Sequence, residues 1–223
     1  MIKKLMLVVV GLTTAAITAS AVPIACPDDT TFSSMVAMGS SGCLSGGTLF
    51  SHFTGNLPAN WDVSIYDDSG DYTVEFSNAK GNPLQTGTYH LSYYVLISPT
   101  LTNSYISSAS LSADVNPFKA AHPSSLTETL KDVSSAGAIG TLKTQRDSTD
   151  IQMWTKGLMV SETMTPGGMI KGKATSRINH FTNTFGETVL VPEPVTMALV
   201  GFGLLLAGGF GGRKARLREP RCR

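Results

Sequence analysis

Histidines and one acidic loop are the groups in this chain that are best suited by type to metal binding or acid–base catalysis. The four histidines are His52, His90, His122 and His180. They are widely separated, and none forms the H-E-x-x-H spacing that places two zinc ligands on one face of a helix. Scattered histidines are more often surface or satisfied interior residues, so we predict no metal or catalytic role for them.

The acidic loop contains Asp67, Asp68 and Asp71, whose carboxylates could supply oxygen ligands to calcium. Calcium-binding loops of the EF-hand type place ligands over twelve residues and end on a bidentate glutamate, and neither feature is present here. A solvated hairpin tip is therefore the favoured interpretation, and calcium is the weaker alternative.

Sequence motifs of several enzyme classes are absent. The chain has no G-x-S-x-G nucleophile elbow, no phosphate-binding P-loop and no dinucleotide fingerprint. A glycosidase needs only two carboxyl groups that meet in the fold at about 5–10 Å, so the sequence neither excludes nor nominates such a pair. We predict a protein that is not an enzyme and that has no cofactor.

Two cysteines near the start of the chain, Cys26 and Cys43, are predicted to form a disulfide. A bridge that closes a loop of this size stabilises a fold by about 3 kcal/mol in the chain-entropy model, and it indicates an oxidising compartment. Two buried thiols or half of a metal site remain as alternatives, although the spacing differs from a C-x-x-C zinc motif.

Aromatic side chains are a second candidate feature, because they can stack on sugar rings. The candidates are Trp61, Tyr66, Tyr72, Tyr89, Tyr93, Tyr94 and Trp154. Core packing is the alternative for each of them. Tyr93 and Tyr94 are adjacent in a predicted strand and must face opposite sides of its sheet.

Alternating apolar and polar residues predict a mostly β protein. A central strand is predicted at 88–97, and a hairpin at 62–66 and 72–76 around the turn residues 67–71. Further strands are predicted at 106–115, 140–144, 151–156 and 170–181. One short helix, 32–38, is predicted with Thr30 or Thr31 as its cap. Short strands with frequent turns favour a single β-sandwich or jelly roll.

Both ends of the chain resemble targeting segments. Lys3 and Lys4 precede a short apolar core, and Ala19-Ser20-Ala21 suits signal-peptide cleavage before Val22. Lipidation of Cys26 is an alternative that Pro23 disfavours. We therefore predict a signal peptide over 1–21.

The C-terminal segment begins with Val191-Pro192-Glu193-Pro194. The 19 residues between Glu193 and Arg213 carry no ionisable side chain, which is roughly 28 Å of helix and enough to cross a bilayer. Six of the 17 lysines and arginines lie at or beyond Arg213, among them Lys214, Arg216 and Arg218. This basic tail predicts a cytoplasmic C-terminus and an exported domain before it.

That order of motif, apolar span and basic tail resembles the PEP-CTERM sorting signal of Gram-negative bacteria. The resemblance implies recognition and removal by an exosortase, a membrane protease-transpeptidase. A permanent single-pass anchor with a proline-containing stalk is the alternative. The domains predicted in this way are a signal peptide over 1–21, a β-sandwich ectodomain over 22–190 and a sorting signal over 191–223.

The start and end of the ectodomain also resemble a group of exported PEP-CTERM β-sandwich proteins. The shared features are a cysteine, a short helix, the Gly42-Cys43 pair, the Phe50-x-x-Phe53 strand and the closing run 177–185. The middle third matches only in general character. The resemblance implies a place at the cell surface or in the extracellular matrix, with a link to extracellular polysaccharide and biofilm. A carbohydrate-binding or carbohydrate-active protein on the same scaffold is the alternative.

Charge disfavours nucleic acid as a partner. Residues 22–190 carry nine basic and 14 acidic side chains, a net charge of −5, and no basic stripe with interleaved aromatic residues is present. The near neutrality of the whole chain therefore comes from its basic ends.

Overall fold

A computed structural model describes residues 23–78, 81, 83–116, 124–143, 147–167, 169–170, 173–174 and 176–190. In chain order the elements are β1 (Ile24–Ala25), β2 (Thr30–Thr31), α1 (Phe32–Met38), β3 (Cys43–Ser45), β4 (Thr48–Gly55), β5 (Asp62–Asp68), β6 (Asp71–Ser77), β7 (Tyr89–Ile97), β8 (Ser104–Asn116), β9 (Ser125–Asp132), β10 (Ala138–Lys143), β11 (Asp147–Thr155), β12 (Gly157–Thr165), β13 (Met169–Ile170), β14 (Lys173–Ala174) and β15 (Arg177–Val189).

These strands form two large sheets and one small hairpin. The first sheet has seven strands in the spatial order β1-β3-β4-β7-β12-β9-β10, and the second has six in the order β11-β8-β15-β6-β5-β2. Strands β13 and β14 pair only with each other. The short β1 pairs with β3 in parallel, whereas the other strand pairs are antiparallel. The prediction of a mostly β protein with one short helix is confirmed.

The core lies between the two large sheets. Strand β7 alternates buried and partly buried residues, so that Tyr93 points inward while its neighbour Tyr94 lies on the outer face. The Tyr93 ring stacks on Phe53 of its own sheet at 4.9 Å and contacts Phe76 and Phe185 of the other sheet at 6.0 and 6.5 Å. The inner faces of the sheets therefore interdigitate as in a β-sandwich.

The predicted hairpin is present, with a tighter turn than expected. Strands β5 and β6 pair from Asp62 opposite Ser77 to Asp68 opposite Asp71, so Ser69 and Gly70 alone form the turn. Both have positive φ, 59° and 98°, as a two-residue type I′ turn requires. The carboxylates of Asp67, Asp68 and Asp71 therefore lie at the strand ends, and we call residues 67–71 the hairpin tip.

Helix α1 begins and ends where the sequence predicts. The Thr31 hydroxyl accepts a hydrogen bond from the backbone N–H of Ser34 at 3.3 Å, which caps the first turn. The apolar side chains Phe32 and Met35 are buried in the core. The predicted disulfide between Cys26 and Cys43 is also present, and it links the residue after β1 to the start of β3.

One strand prediction differs from the structure, and two strands of the structure were not predicted. The segment 170–181 is not one strand but is divided among β13, β14 and the long β15, which begins at Arg177. Strands β9 and β12 were not predicted, although β12 lies near the middle of the seven-stranded sheet. Both have a glutamate at an inward position, which interrupts the apolar alternation on which the prediction depends.

Within residues 23–190, the described helical segment is too short to cross a lipid bilayer. The predicted signal peptide, Val22 and the whole segment 191–223, with the Val191-Pro192-Glu193-Pro194 motif and the basic tail, lie outside the described residues.

Candidate functional site

The histidines that the structure describes do not come together in one site. His52 contacts Ser51 and the ring of Tyr94, His90 lies 3.3 Å from the Thr163 hydroxyl, and His180 faces Asp114 at 3.8 Å; His122 lies outside the described residues. In the described part of the chain, no three histidine, cysteine, aspartate or glutamate side chains are close enough to share a metal ion.

The carboxylates of the hairpin tip serve the turn itself. Asp67 Oδ1 accepts a hydrogen bond from the Gly70 N–H at 3.0 Å, and Asp68 Oδ1 accepts one from the Ser69 hydroxyl at 3.4 Å. Asp67, Asp68 and Asp71 are exposed to solvent. This geometry matches the solvated hairpin tip that the sequence favours.

The aromatic candidates divide into core and surface residues. Trp61, Tyr72 and Tyr93 are buried, with at most 3% of each residue exposed, and they pack in the core. Tyr66 and Trp154 are the most exposed of the set, at 43% and 46%. Trp154 also lines a cavity, which places its ring to contact a ligand.

This cavity, the end groove, is an open depression at one end of the sandwich with a volume of about 540 Å³. It forms where β7, β9 and β11 end and β12 begins. Leu96, Ile97 and Val133 make its lining largely apolar, Trp154 forms one wall, and Asp132 lies at its rim. A concave apolar surface with a few polar groups is the usual form of a ligand site.

The aromatic wall of the end groove is held in position by neighbouring groups. The ring of Trp154 lies 5.7 Å from that of Tyr105, and the ammonium group of Lys156 lies 4.2 Å from the Tyr105 ring centre. The same ammonium donates hydrogen bonds to the carbonyl oxygens of Leu101, Thr102 and Ser104 at 2.6–2.8 Å. Lys156 therefore stabilises the wall and the adjoining loop.

The rim of the end groove carries an anion. The Asp132 carboxylate accepts hydrogen bonds from the backbone N–H and the hydroxyl of Ser134 at 2.6 and 2.7 Å. The hydroxyl bond is the main reason that the pKa of Asp132 is lowered, so this partly exposed carboxylate is ionised at neutral pH. An aromatic face beside a carboxylate and hydroxyl groups suits a sugar, whose C–H face stacks and whose hydroxyls donate hydrogen bonds.

A second group of polar residues lies in the middle of the sandwich. This core cluster consists of Tyr93 on β7, Glu128 on β9, Glu162 on β12 and Asn183 on β15. Glu128 and Glu162 are direct partners in the register of the seven-stranded sheet, so their side chains share its inner face. Asn183 reaches them from the other sheet, and no member is more than 2% exposed.

The hydrogen bonds of the core cluster are incomplete. The Asn183 amide donates to the Tyr93 hydroxyl at 2.7 Å and to Glu162 Oε1. Four buried oxygens have no hydrogen-bond partner: Glu128 Oε1, Glu128 Oε2, Glu162 Oε2 and Asn183 Oδ1. Unpartnered buried oxygens are costly, and each one needs a physical explanation.

Burial shifts the ionisation of the core cluster. Loss of solvation raises the pKa of Glu162 to about 8. Burial, followed by the charge of Glu162, raises the pKa of Glu128 well above its usual range, and burial also raises the pKa of Tyr93. The two carboxyl groups are closed off from solvent, so in this arrangement they cannot contact a polysaccharide.

The sequence contains a signal for the core cluster, although no site was predicted from it. Glu128, Glu162 and Asn183 each occupy the central inward position of a strand whose neighbouring inward residues are apolar. The three segments are Leu-Thr-Glu-Thr-Leu at 126–130, Val-Ser-Glu-Thr-Met at 160–164 and Phe-Thr-Asn-Thr-Phe at 181–185. A polar residue in such a position is either buried, or it indicates that the segment is not a strand. Here all three polar residues are buried.

Neither the known protein-family models nor the curated proteins contain a match to this chain. Its function must therefore be inferred from its own residues.

Proposed function

We propose that this chain is an exported cell-surface or extracellular protein of a Gram-negative bacterium that is sorted by an exosortase. Its β-sandwich serves a non-enzymatic structural or adhesive role in an exopolysaccharide or biofilm matrix. The end groove, with Trp154 as its exposed aromatic wall, is the observation on which the adhesive role depends. Polysaccharide and the exosortase are the proposed partners, and nucleic acid is not one.

Export is supported by the two ends of the sequence and by the disulfide. Residues 1–21 have the layout of a signal peptide, and the chain beyond 190 has the order of a sorting signal. The bond between Cys26 and Cys43 suits an oxidising compartment outside the cytoplasm.

The end groove lies beside the point where the described chain ends. The Leu190 N–H donates to the Asn103 carbonyl oxygen at 2.7 Å, and Val189 pairs with Ser104, whose carbonyl oxygen also accepts from Lys156. The four residues 191–194, if extended, span roughly 14 Å. A membrane-spanning tail would thus hold the groove close to the bilayer, and cleavage at the motif would release it towards the matrix.

A non-enzymatic role is favoured by the position of the carboxyl pair. Glycoside hydrolysis requires two carboxyl groups that reach the scissile bond. Glu128 and Glu162 form such a pair by register, but they are at most 2% exposed. A carbohydrate-active enzyme on this scaffold is therefore the weaker alternative, and carbohydrate binding at the end groove is the stronger one.

The adhesive role is tested by comparing the Trp154→Ala and Tyr66→Ala variants in native cells. The two residues have nearly equal exposure, but Tyr66 does not line the groove. One stacking contact on an aromatic side chain is worth about 1–3 kcal/mol for a nucleic-acid base, and a loss of that size predicts roughly 5- to 150-fold weaker retention of the Trp154 variant on exopolysaccharide. Equal retention of both variants and the unchanged protein would contradict the proposal.

Sorting is tested by the intact mass and terminal peptides of the protein from native cells and medium. We expect a chain that starts at Val22, ends near 191–194 and is two hydrogens lighter than its reduced form. A chain in the membrane fraction that still carries 195–223 would instead support the permanent-anchor alternative.

A further inference from the structure

The unpartnered oxygens of the core cluster belong to three side chains on the inner faces of the sandwich. Glu128 contributes two, Glu162 one and Asn183 one; Glu128 and Glu162 are register partners, and Asn183 contacts Glu162 from the other sheet. The Asn183 side chain comes from the opposite sheet, so its burial is a separate observation from the pairing of the two glutamates. It is fully buried, its amide nitrogen contacts Glu162, and its amide oxygen has no partner.

Charge and chemistry restrict what can complete this cluster. Two ionised glutamates carry a formal charge of −2, and their surroundings are aromatic, with Phe53, Phe76 and Phe185 packed around Tyr93. Two uncompensated carboxylates in such an interior would be highly unfavourable. With both glutamates ionised, a group that completes the cluster must therefore be positive, or must supply hydrogen-bond donors, and it must be small.

We propose that the core cluster is a calcium site whose ligands are Glu128, Glu162, Asn183 and the Tyr93 hydroxyl. All candidate ligand atoms are oxygens, as a hard divalent cation requires, and one such ion cancels the charge of both glutamates. The four unpartnered oxygens, with Glu162 Oε1 and Tyr93 Oη, make six, which is the lower limit of calcium coordination.

Calcium fits this cluster better than other common divalent ions. Magnesium usually keeps several water ligands, whereas the members of the cluster are at most 2% exposed. Zinc and copper favour nitrogen and sulfur ligands, which the cluster lacks. A bound calcium ion would join β9 and β12 of one sheet to β15 of the other, and so would stabilise the sandwich at its centre.

Metal content measured on the purified full chain in detergent tests the proposal directly. The chain is stripped with EGTA at pH 7.5, incubated with calcium, desalted and assayed for bound metal. We expect one calcium per chain, and loss of that ion in the Glu128→Gln/Glu162→Gln double variant, since glutamine keeps the shape of glutamate without its charge. The control is the triple variant Asp67→Asn/Asp68→Asn/Asp71→Asn, which should retain the ion.

Thermal unfolding of the same proteins provides the second readout. Calcium at about 100-fold above its dissociation constant should raise the Tm of the unchanged chain and of the triple variant by about 5–10 °C, and should leave that of the double variant unchanged. The proposal is overturned if no calcium binds, in which case protons alone neutralise the glutamates. It is equally overturned if the triple variant loses the ion while the double variant keeps it, because calcium would then bind at the hairpin tip.

Discussion

The core cluster and the hairpin tip contain the same chemical group in opposite environments. At the hairpin tip, three carboxylates within five residues are solvated, and those of Asp67 and Asp68 accept hydrogen bonds from the turn. In the core cluster, two glutamates 34 positions apart in the sequence are brought side by side by strand pairing and are removed from water. Closeness in the sequence therefore did not predict which carboxylates are buried together; register and sheet packing decided it.

The largest expected difference between the core cluster and the hairpin tip is the loss of stability when an aromatic ring in or next to each region is removed. Tyr93→Ala deletes a buried ring that stacks on Phe53 at 4.9 Å and contacts both sheets, so we expect the free energy of unfolding to fall by about 3–5 kcal/mol. Tyr66→Ala, one residue before the hairpin tip and 43% exposed, should cost less than about 1 kcal/mol. Urea unfolding measures both. Similar losses for the two variants would mean that the core around the cluster is not packed as described.

The second largest expected difference between the core cluster and the hairpin tip is in how each region makes stability depend on pH. The Glu162 pKa is about 8 in the folded state and 4.5 in the reference state, so between these values the folded chain holds a proton that the unfolded chain has released. Stability without calcium should therefore be full below about pH 4.5 and should fall by a few kcal/mol as the pH rises through 8.

Urea unfolding in EGTA from pH 4.5 to 8.5 measures this dependence. The Glu128→Gln/Glu162→Gln variant should lose most of the slope, because neither position titrates any longer. The Asp67→Asn/Asp68→Asn/Asp71→Asn variant should keep it. An unchanged slope in the double variant would show that other groups cause the pH dependence.

The smallest predicted effect concerns the turn between the carboxylates of the hairpin tip. Gly70 has φ of +98° and open space where a Cβ would lie, so the cost of Gly70→Ala is backbone strain alone. We expect a loss of about 1 kcal/mol, whereas Asp68→Asn should change stability by less than about 0.5 kcal/mol. Thermal unfolding distinguishes the two. A larger loss of stability for Asp68→Asn than for Gly70→Ala would mean that charge contributes more than turn geometry to the stability of the hairpin tip.

Local patterns in the sequence predicted the elements whose signals are also local. The cap at Thr31, the alternation of β5 and β6 and the dense aromatic and β-branched run of β7 each depend on neighbouring residues, and each prediction is confirmed. The disulfide was predictable because two cysteines in a segment that is predicted to be exported usually pair.

Strands β9 and β12 were missed for a physical reason. Serine and threonine occupy most of their outward positions, and a glutamate occupies one inward position in each, so the local apolar signal is weak. These strands are stabilised by their neighbours in the sheet, which a linear pattern does not contain. The two glutamates of the candidate calcium site lie on these two strands.

The sequence by itself determined the strand-rich composition, the short capped helix, the disulfide and the targeting character predicted for both ends of the chain. Only the tertiary structure decided that Trp154 lines a groove while Trp61 is buried, and that Glu162 meets Glu128 and Asn183. The reason is that alternation assigns a side chain to a face of its strand, whereas strand order and sheet packing decide what that face meets.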